Sequence, residues 1–116
     1  LQAWPVTEPA RLPASLEVSA LLRRTAAAGG FGMILHKGEP DAGTILVVAV
    51  DRQGLGTLYE RMPDAAGHRR WLAVRRQDAD SRNAFDDYCA RRPLHDPDVW
   101  IVELTIADVE RSILNA

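Results

Sequence analysis

Four basic side chains, His36, Lys37, Arg61 and Arg69, are the residues of this chain whose types best suit one shared chemical task. Guanidinium and ammonium groups along one sheet row would bind a phosphate or carboxylate, and His36 would add a donor whose charge changes near neutral pH. Such a row needs strands that set these residues side by side. It also needs them unneutralised, and Glu39 and Asp41 in the adjoining loop are candidate internal partners. Tyr59 and Trp71 next to the row would offer stacking faces to single-stranded nucleic acid. Their expected neighbours Ile34, Val47 and Ala49 are apolar, however, which fits burial under a helix better than a wet platform.

Other chemistries find less support. His36, His68 and His95 are far apart in sequence, and only His95 has close carboxylates, Asp96 and Asp98. Asp96-Pro97-Asp98 reads more simply as a turn, so no metal set and no cofactor is assigned. Cys89 would need exposure beside a base to act as a nucleophile, and its place on a helical stripe with Phe85 makes it a small buried hydrophobe instead. The carboxylates Asp86 and Asp87 adjoin, but adjacency alone does not separate an acid from a base. Gly29-Gly30-Phe31-Gly32 precedes a strand rather than a helix, so it offers no helix N-terminus to a phosphate.

The elements that must position these residues follow from periodicity. Prolines 5, 9 and 13 predict an extended arm over 1–13, followed by a single domain over 14–116. Ala14, Val18, Leu21, Leu22 and Thr25 recur at helical spacing between Pro13 and Gly29, which predicts a helix over 14–28. Strand-like runs cover 31–37, 44–51, 56–62 and 69–75, joined by short turns, and predict a four-stranded antiparallel meander. The charged loop Lys37–Gly43 then reads as the first hairpin. A second helix over 81–92 starts after Asp80 and ends at Pro93, and Val99–Leu104 is a near-continuous apolar run typical of a buried strand. Thr105 and Asp108 suggest a capping box opening a short last helix with Ile106, Val109 and Ile113.

Counting outward from each turn pairs His36 with Ile45, Ile45 with Arg61, and Arg61 with Arg69, which is the basic row. It likewise pairs Ile34 with Val47, Val47 with Tyr59, and Tyr59 with Trp71, and it opposes Glu60 to Arg70. The opposite face, with Met33, Leu35, Leu46, Val48, Leu58, Leu72 and Val74, reads as the better core.

Composition bounds the rest. The chain has 116 residues, 47% hydrophobic and 26% charged, which suits one folded domain. A net charge of −2 gives no global attraction to nucleic acid or to an anionic membrane. No apolar run approaches the ~20 residues of a membrane span. The N-terminal stretch has neither a basic leader nor a long apolar region, so it does not read as a signal peptide. The one cysteine cannot form an internal disulfide, which points to the cytoplasm.

Leu12-Pro13-Ala14 with Glu17–Leu21, Gly29-Gly30-Phe31, Lys37–Gly43 with Thr44–Val47, Tyr59–Met62, and Asp96-Pro97-Asp98 on to Glu103 together resemble the small alphaproteobacterial family called domain of unknown function 1491. The resemblance covers nearly all of the chain after Pro9. It implies a bacterial cytoplasmic protein with one compact domain and no established activity, and it carries over no functional residues. The expectation is therefore an α+β domain with a mostly antiparallel sheet of about five strands. Its expected role is a non-enzymatic binding or protein-interaction module, with a second copy or another protein as partner through a sheet edge or the last apolar segment. The alternatives are a small-anion ligand-binding protein or enzyme at His36, Lys37, Arg61 and Arg69, and, behind it, nucleic-acid binding.

Overall fold

The helix at Ala14–Ala27 (α1) buries Ala14, Val18, Leu21 and Thr25 of the stripe its periodicity predicts, while Leu22 is half-buried at its margin. The Thr25 hydroxyl donates to the Leu21 carbonyl at 2.8 Å, so the one buried polar side chain of the stripe is satisfied within the helix. Gly29, at φ +88°, ends the helix in the left-handed region that favours glycine. No side chain caps the N-terminus; instead Ala14 and Ser15 donate their backbone N–H groups to the carbonyls of Asp41 and Pro40 at 3.0 and 2.8 Å. The computed structural model of the chain describes residues 12–63 and 65–114. The expected arm falls mostly outside that range.

Five strands follow: β1 (Phe31–His36), β2 (Ile45–Val50), β3 (Gly56–Pro63), β4 (Arg69–Arg76) and, after helix α2 (Arg82–His95), β5 (Trp100–Thr105). Their order in the sheet is β1-β5-β2-β3-β4. The sheet is mixed rather than mostly antiparallel: β1–β5, β2–β3 and β3–β4 are antiparallel, while β2 and β5 run parallel. The predicted meander therefore holds only for β2–β3–β4. Lys37–Gly43 is not a hairpin but a crossing that passes the start of β5, because β5 occupies the slot between β1 and β2. A strand that is apolar on both faces needs a neighbour on each side and a layer on each face, and only a central position supplies them.

The crossing is tied down through backbone. Glu39 N–H donates to Asp98 O at 2.9 Å, and the Trp100 indole N–H donates to Glu39 O at 2.7 Å. A Cβ on Gly38 or Gly43 would stand 2.1 or 2.3 Å from the Asp98 carbonyl oxygen, so both positions need glycine for the close approach.

The register corrects further pairings. His36 lies opposite Ile101 and Ile34 opposite Val102, not opposite Ile45 and Val47. Val47 does pair with Tyr59. Tyr59 meets Ala73, Arg61 meets Trp71, and Glu60 meets Leu72, because the β3–β4 turn is centred later than a symmetric count suggests and the ladder contains an irregularity after Leu58.

Two cores result. Under α1 lie Ile45, Val47, Tyr59, Trp100, Val102 and Leu104, joined by Val109, Ile113 and Leu114 from the C-terminal segment. Under α2 lie Leu46, Val48, Leu58 and Ile101 with Phe85 and Val99. The face expected to be the better core is the smaller one: Met33, Leu35, Leu72 and Val74 stay exposed, since α2 covers only its middle. Helix α2 also runs through Pro93 to His95, where Asp96 N–H closes on Arg92 O at 3.0 Å. Its N-cap is Ser81 rather than Asp80, without a side-chain bond. The last predicted helix is a π-helical turn, Glu110–Leu114, and Asp108, at φ 52°, takes the left-handed conformation rather than an N3 place in a capping box.

Candidate functional site

The four basic residues are placed in two regions. His36 lies on the α2 face and presents its Nδ1 to the Val99 carbonyl at 2.7 Å. Lys37 is exposed just past the end of β1. Arg61 and Arg69 share a cavity of about 230 Å³ with Glu17 and Asp41 at the start of α1. Arg61 is ion-paired with Glu17 at 2.5 Å and lies 5.0 Å from the centre of the Trp71 ring, while its Nε is buried with no hydrogen-bond partner among the described residues. Glu39 and Asp41 do not pair with Arg61. The Glu39 carboxylate accepts the Asp41 and Ala42 N–H groups of its own loop, and Asp41 contributes its carbonyl to α1.

The α2 face carries the other titratable groups. Arg75 stacks 4.1 Å from the Tyr88 ring centre, and Arg92 bonds Glu60 at 3.4 Å, which together fasten α2 over β3 and β4. Burial would lower the pKa of Arg92, but hydrogen bonds with Glu60 and Tyr88 outweigh it and raise it. Burial, helped by Asp86, pushes the Cys89 thiol up to about 11. At neutral pH this cysteine is therefore protonated and a poor nucleophile. On the α1 face, burial raises the Tyr59 pKa, and Glu110, which hydrogen-bonds its hydroxyl, adds to the shift.

A cavity of about 750 Å³ opens where the parallel strands β2 and β5 end, between Asp51–Gln53 and Thr105–Asp108. The Asp51 carboxylate there is engaged by the N–H groups of Gln53 and Leu55, which makes it a turn residue. Among the described residues, no three His, Cys, Asp or Glu side chains converge as a metal site would require.

The outstanding surface is the β1 edge. Phe31, Met33, Ile34 and Leu35 are 63%, 42%, 42% and 49% exposed. Among the described residues only one side of β1 is paired, and the strand carries no Lys, Arg, Asp or Glu. Its α2-side residues continue into a groove of about 580 Å³ lined by Leu35, Phe85, Cys89, Pro93 and Leu94, where Leu94 is 78% exposed. The opposite edge differs: β4 begins with Arg69-Arg70 and ends with Arg75-Arg76. Charges of this kind blunt unwanted strand addition, and β1 lacks them. Sequence reasoning offered a sheet edge as a partner surface but did not single out β1, because it left the last strand unplaced beside the meander. The usable signal was Val99–Leu104, whose two-sided apolar pattern demands a central slot and so displaces β1 outward.

Comparison with protein families matches residues 12–114 to the model described as a protein of unknown function (DUF1491). No curated protein matches. Solved structures of similar chains include a crystal structure of a DUF1491 family protein from Caulobacter crescentus, 35% identical, with a TM-score of 0.69 over 84% of this chain and 91% of that one. An NMR structure of a DUF1491 family protein from the same organism is 32% identical, with a TM-score of 0.73 over 90% of this chain and 94% of that one. A solution structure of an A. tumefaciens protein is 29% identical, with a TM-score of 0.70 over 90% of this chain and 94% of that one.

Proposed function

The chain belongs to the DUF1491 family, whose function is unknown, and from that premise we propose that it is a non-enzymatic protein-interaction module of the bacterial cytoplasm that receives a partner along β1. The observation that carries this reading is the contrast between the two sheet edges: four arginines flank β4, and four exposed apolar side chains line β1. An extended segment added to β1 would satisfy its open backbone groups, and alternate side chains would enter the groove beside α2. The free, protonated Cys89 agrees with a reducing compartment.

A photo-crosslinking residue placed at Phe31 in the native host tests the reading, with the same residue at Arg76 as control. The expected result is a discrete adduct from Phe31 that Met33→Lys abolishes. Adducts from Arg76 but none from Phe31 would overturn it, as would turnover of a substrate that a single point change removes.

A second reading, a small-anion ligand at Arg61 and Arg69, is supported by the unpartnered Arg61 Nε in the cavity beside α1. Glu17 already neutralises much of the Arg61 charge, which weakens it. Titration with inorganic phosphate, followed by NMR, should move the amides of 61 and 69 in the wild type and not in Arg61→Gln.

A further inference from the structure

The occupant of the β1 edge can be named from the strand itself. We infer that it is β1 of a second copy, paired antiparallel about a two-fold axis at Met33, so that two five-stranded sheets join into one. This inference rests on the edge-binding reading above and narrows it to one partner.

The register follows from which residues share a face. Phe31 and Met33, opposite Thr105 and Glu103, lie on the α2 face, and Gly32 and Ile34, opposite Leu104 and Val102, lie on the α1 face. Directly opposed residues of an antiparallel pair project to the same face, so a symmetric pairing must be centred on a residue. Centring on Gly32 pairs only Phe31–Met33, and centring on Ile34 puts the β-bulge between Ile34 and His36 in the middle of the ladder. Centring on Met33 pairs Phe31–Leu35 and ends at the bulge.

That register is self-complementary in size and charge. Phe31 meets the second copy's Leu35, Met33 meets its own counterpart, and Ile34 meets the second copy's Gly32, over which Leu22 and Leu104 present an apolar surface. The bulge leaves His36 on the α2 face opposite Ile101, so alternation turns Lys37 to the α1 face. Counting from Met33 and allowing for the extra residue of the bulge, Lys37 falls opposite the second copy's Gly30, whose N–H closes on the Thr25 carbonyl at the end of α1. A cation there meets the partially negative carbonyl end of the helix, and the two-fold axis makes the contact twice. An unrelated extended peptide would fill the edge but would bring no helix end to Lys37.

Sedimentation of the full chain over a concentration series tests the inference. The wild type should show a reversible dimer. Met33→Lys and Met33→Glu, each alone, should weaken it at least tenfold by setting like charges on the axis, and an equal mixture of the two should restore it. Met33 is exposed, so both variants should keep the wild-type circular dichroism. In a Cys89→Ser background, Met33→Cys should form a disulfide-linked dimer on mild oxidation, since opposed residues lie about 4.5–5.5 Å apart between Cα atoms. A wild type that stays monomeric, or lysine and glutamate variants that dimerise as well as the wild type, would overturn the self-pairing. A monomer that still gives Phe31 photo-adducts with another protein overturns this inference and keeps the edge-binding reading. A dimer insensitive to Met33 together with no Phe31 adduct overturns both.

Discussion

Arg61 on β3 is ion-paired with Glu17 on α1 at 2.5 Å, and both side chains are about four-fifths buried between the helix and the sheet. The pair fixes where α1 begins relative to β3, because the Trp71 ring beside Arg61 leaves the guanidinium little freedom. Breaking it from the acidic side strands a partly buried cation. Glu17→Gln should therefore lower unfolding free energy by about 1–3 kcal/mol, read from the urea midpoint at unchanged slope. Arg61→Lys should not be neutral, since lysine cannot reproduce the planar stack.

Gly38→Ala and Gly43→Ala should each cost about 3 kcal/mol or more. The obstacle in both is the Asp98 carbonyl oxygen, which belongs to the backbone that starts β5 and has nowhere to move. Gly67→Ala is the informative control, because an added Cβ there meets nothing within 4 Å and only the positive φ of 85° is strained. Thermal unfolding of the three variants should rank Gly67→Ala mildest.

Trp100→Phe should destabilise by about 1–3 kcal/mol. The ring is 2% exposed, so phenylalanine keeps most of the packing but leaves the Glu39 carbonyl without its 2.7 Å donor. Amide hydrogen exchange should show the loss spreading to Ala14 and Ser15, whose N–H groups bond the same crossing loop.

Stability should fall at alkaline pH. The Cys89 thiol is raised from 9.0 to about 11 in the folded chain, mainly by burial, so between those values the unfolded thiol has lost its proton while the folded one keeps it. The unfolded state is then favoured as pH rises from about 9 to about 11, and the raised Tyr59 acts in the same direction. Cys89→Ala should flatten the decline in melting temperature over that window. Alkylation of native Cys89 should be slow at pH 8 and accelerate above pH 10.

Local elements were legible because their causes are local. The stripe Ala14, Val18, Leu21 and Thr25 buries as its spacing requires, and β2–β3–β4 form the hairpins their turns imply. The insertion of β5 was not legible from loop lengths, since the residues between β1 and β2 suit a hairpin as well as a crossing. Pairing Arg61 with Glu17 was equally remote, because it depends on how α1 crosses the sheet. The exposure of Met33 and Leu35, expected in the better core, was out of reach as well, because it depends on how much of that face α2 covers.

The slot filled by β5 also sets a timetable. Strands β2, β3 and β4 can pair with neighbours in sequence, but β1 has no strand partner until Trp100–Thr105 arrives between it and β2. On a ribosome α1 and β1 must wait for Trp100–Thr105 to emerge, and the chain closes through contacts of long sequence separation. A nascent chain cut before Trp100 holds a competent meander and an unclaimed first strand, so the C-terminal strand acts as the latch of the whole domain.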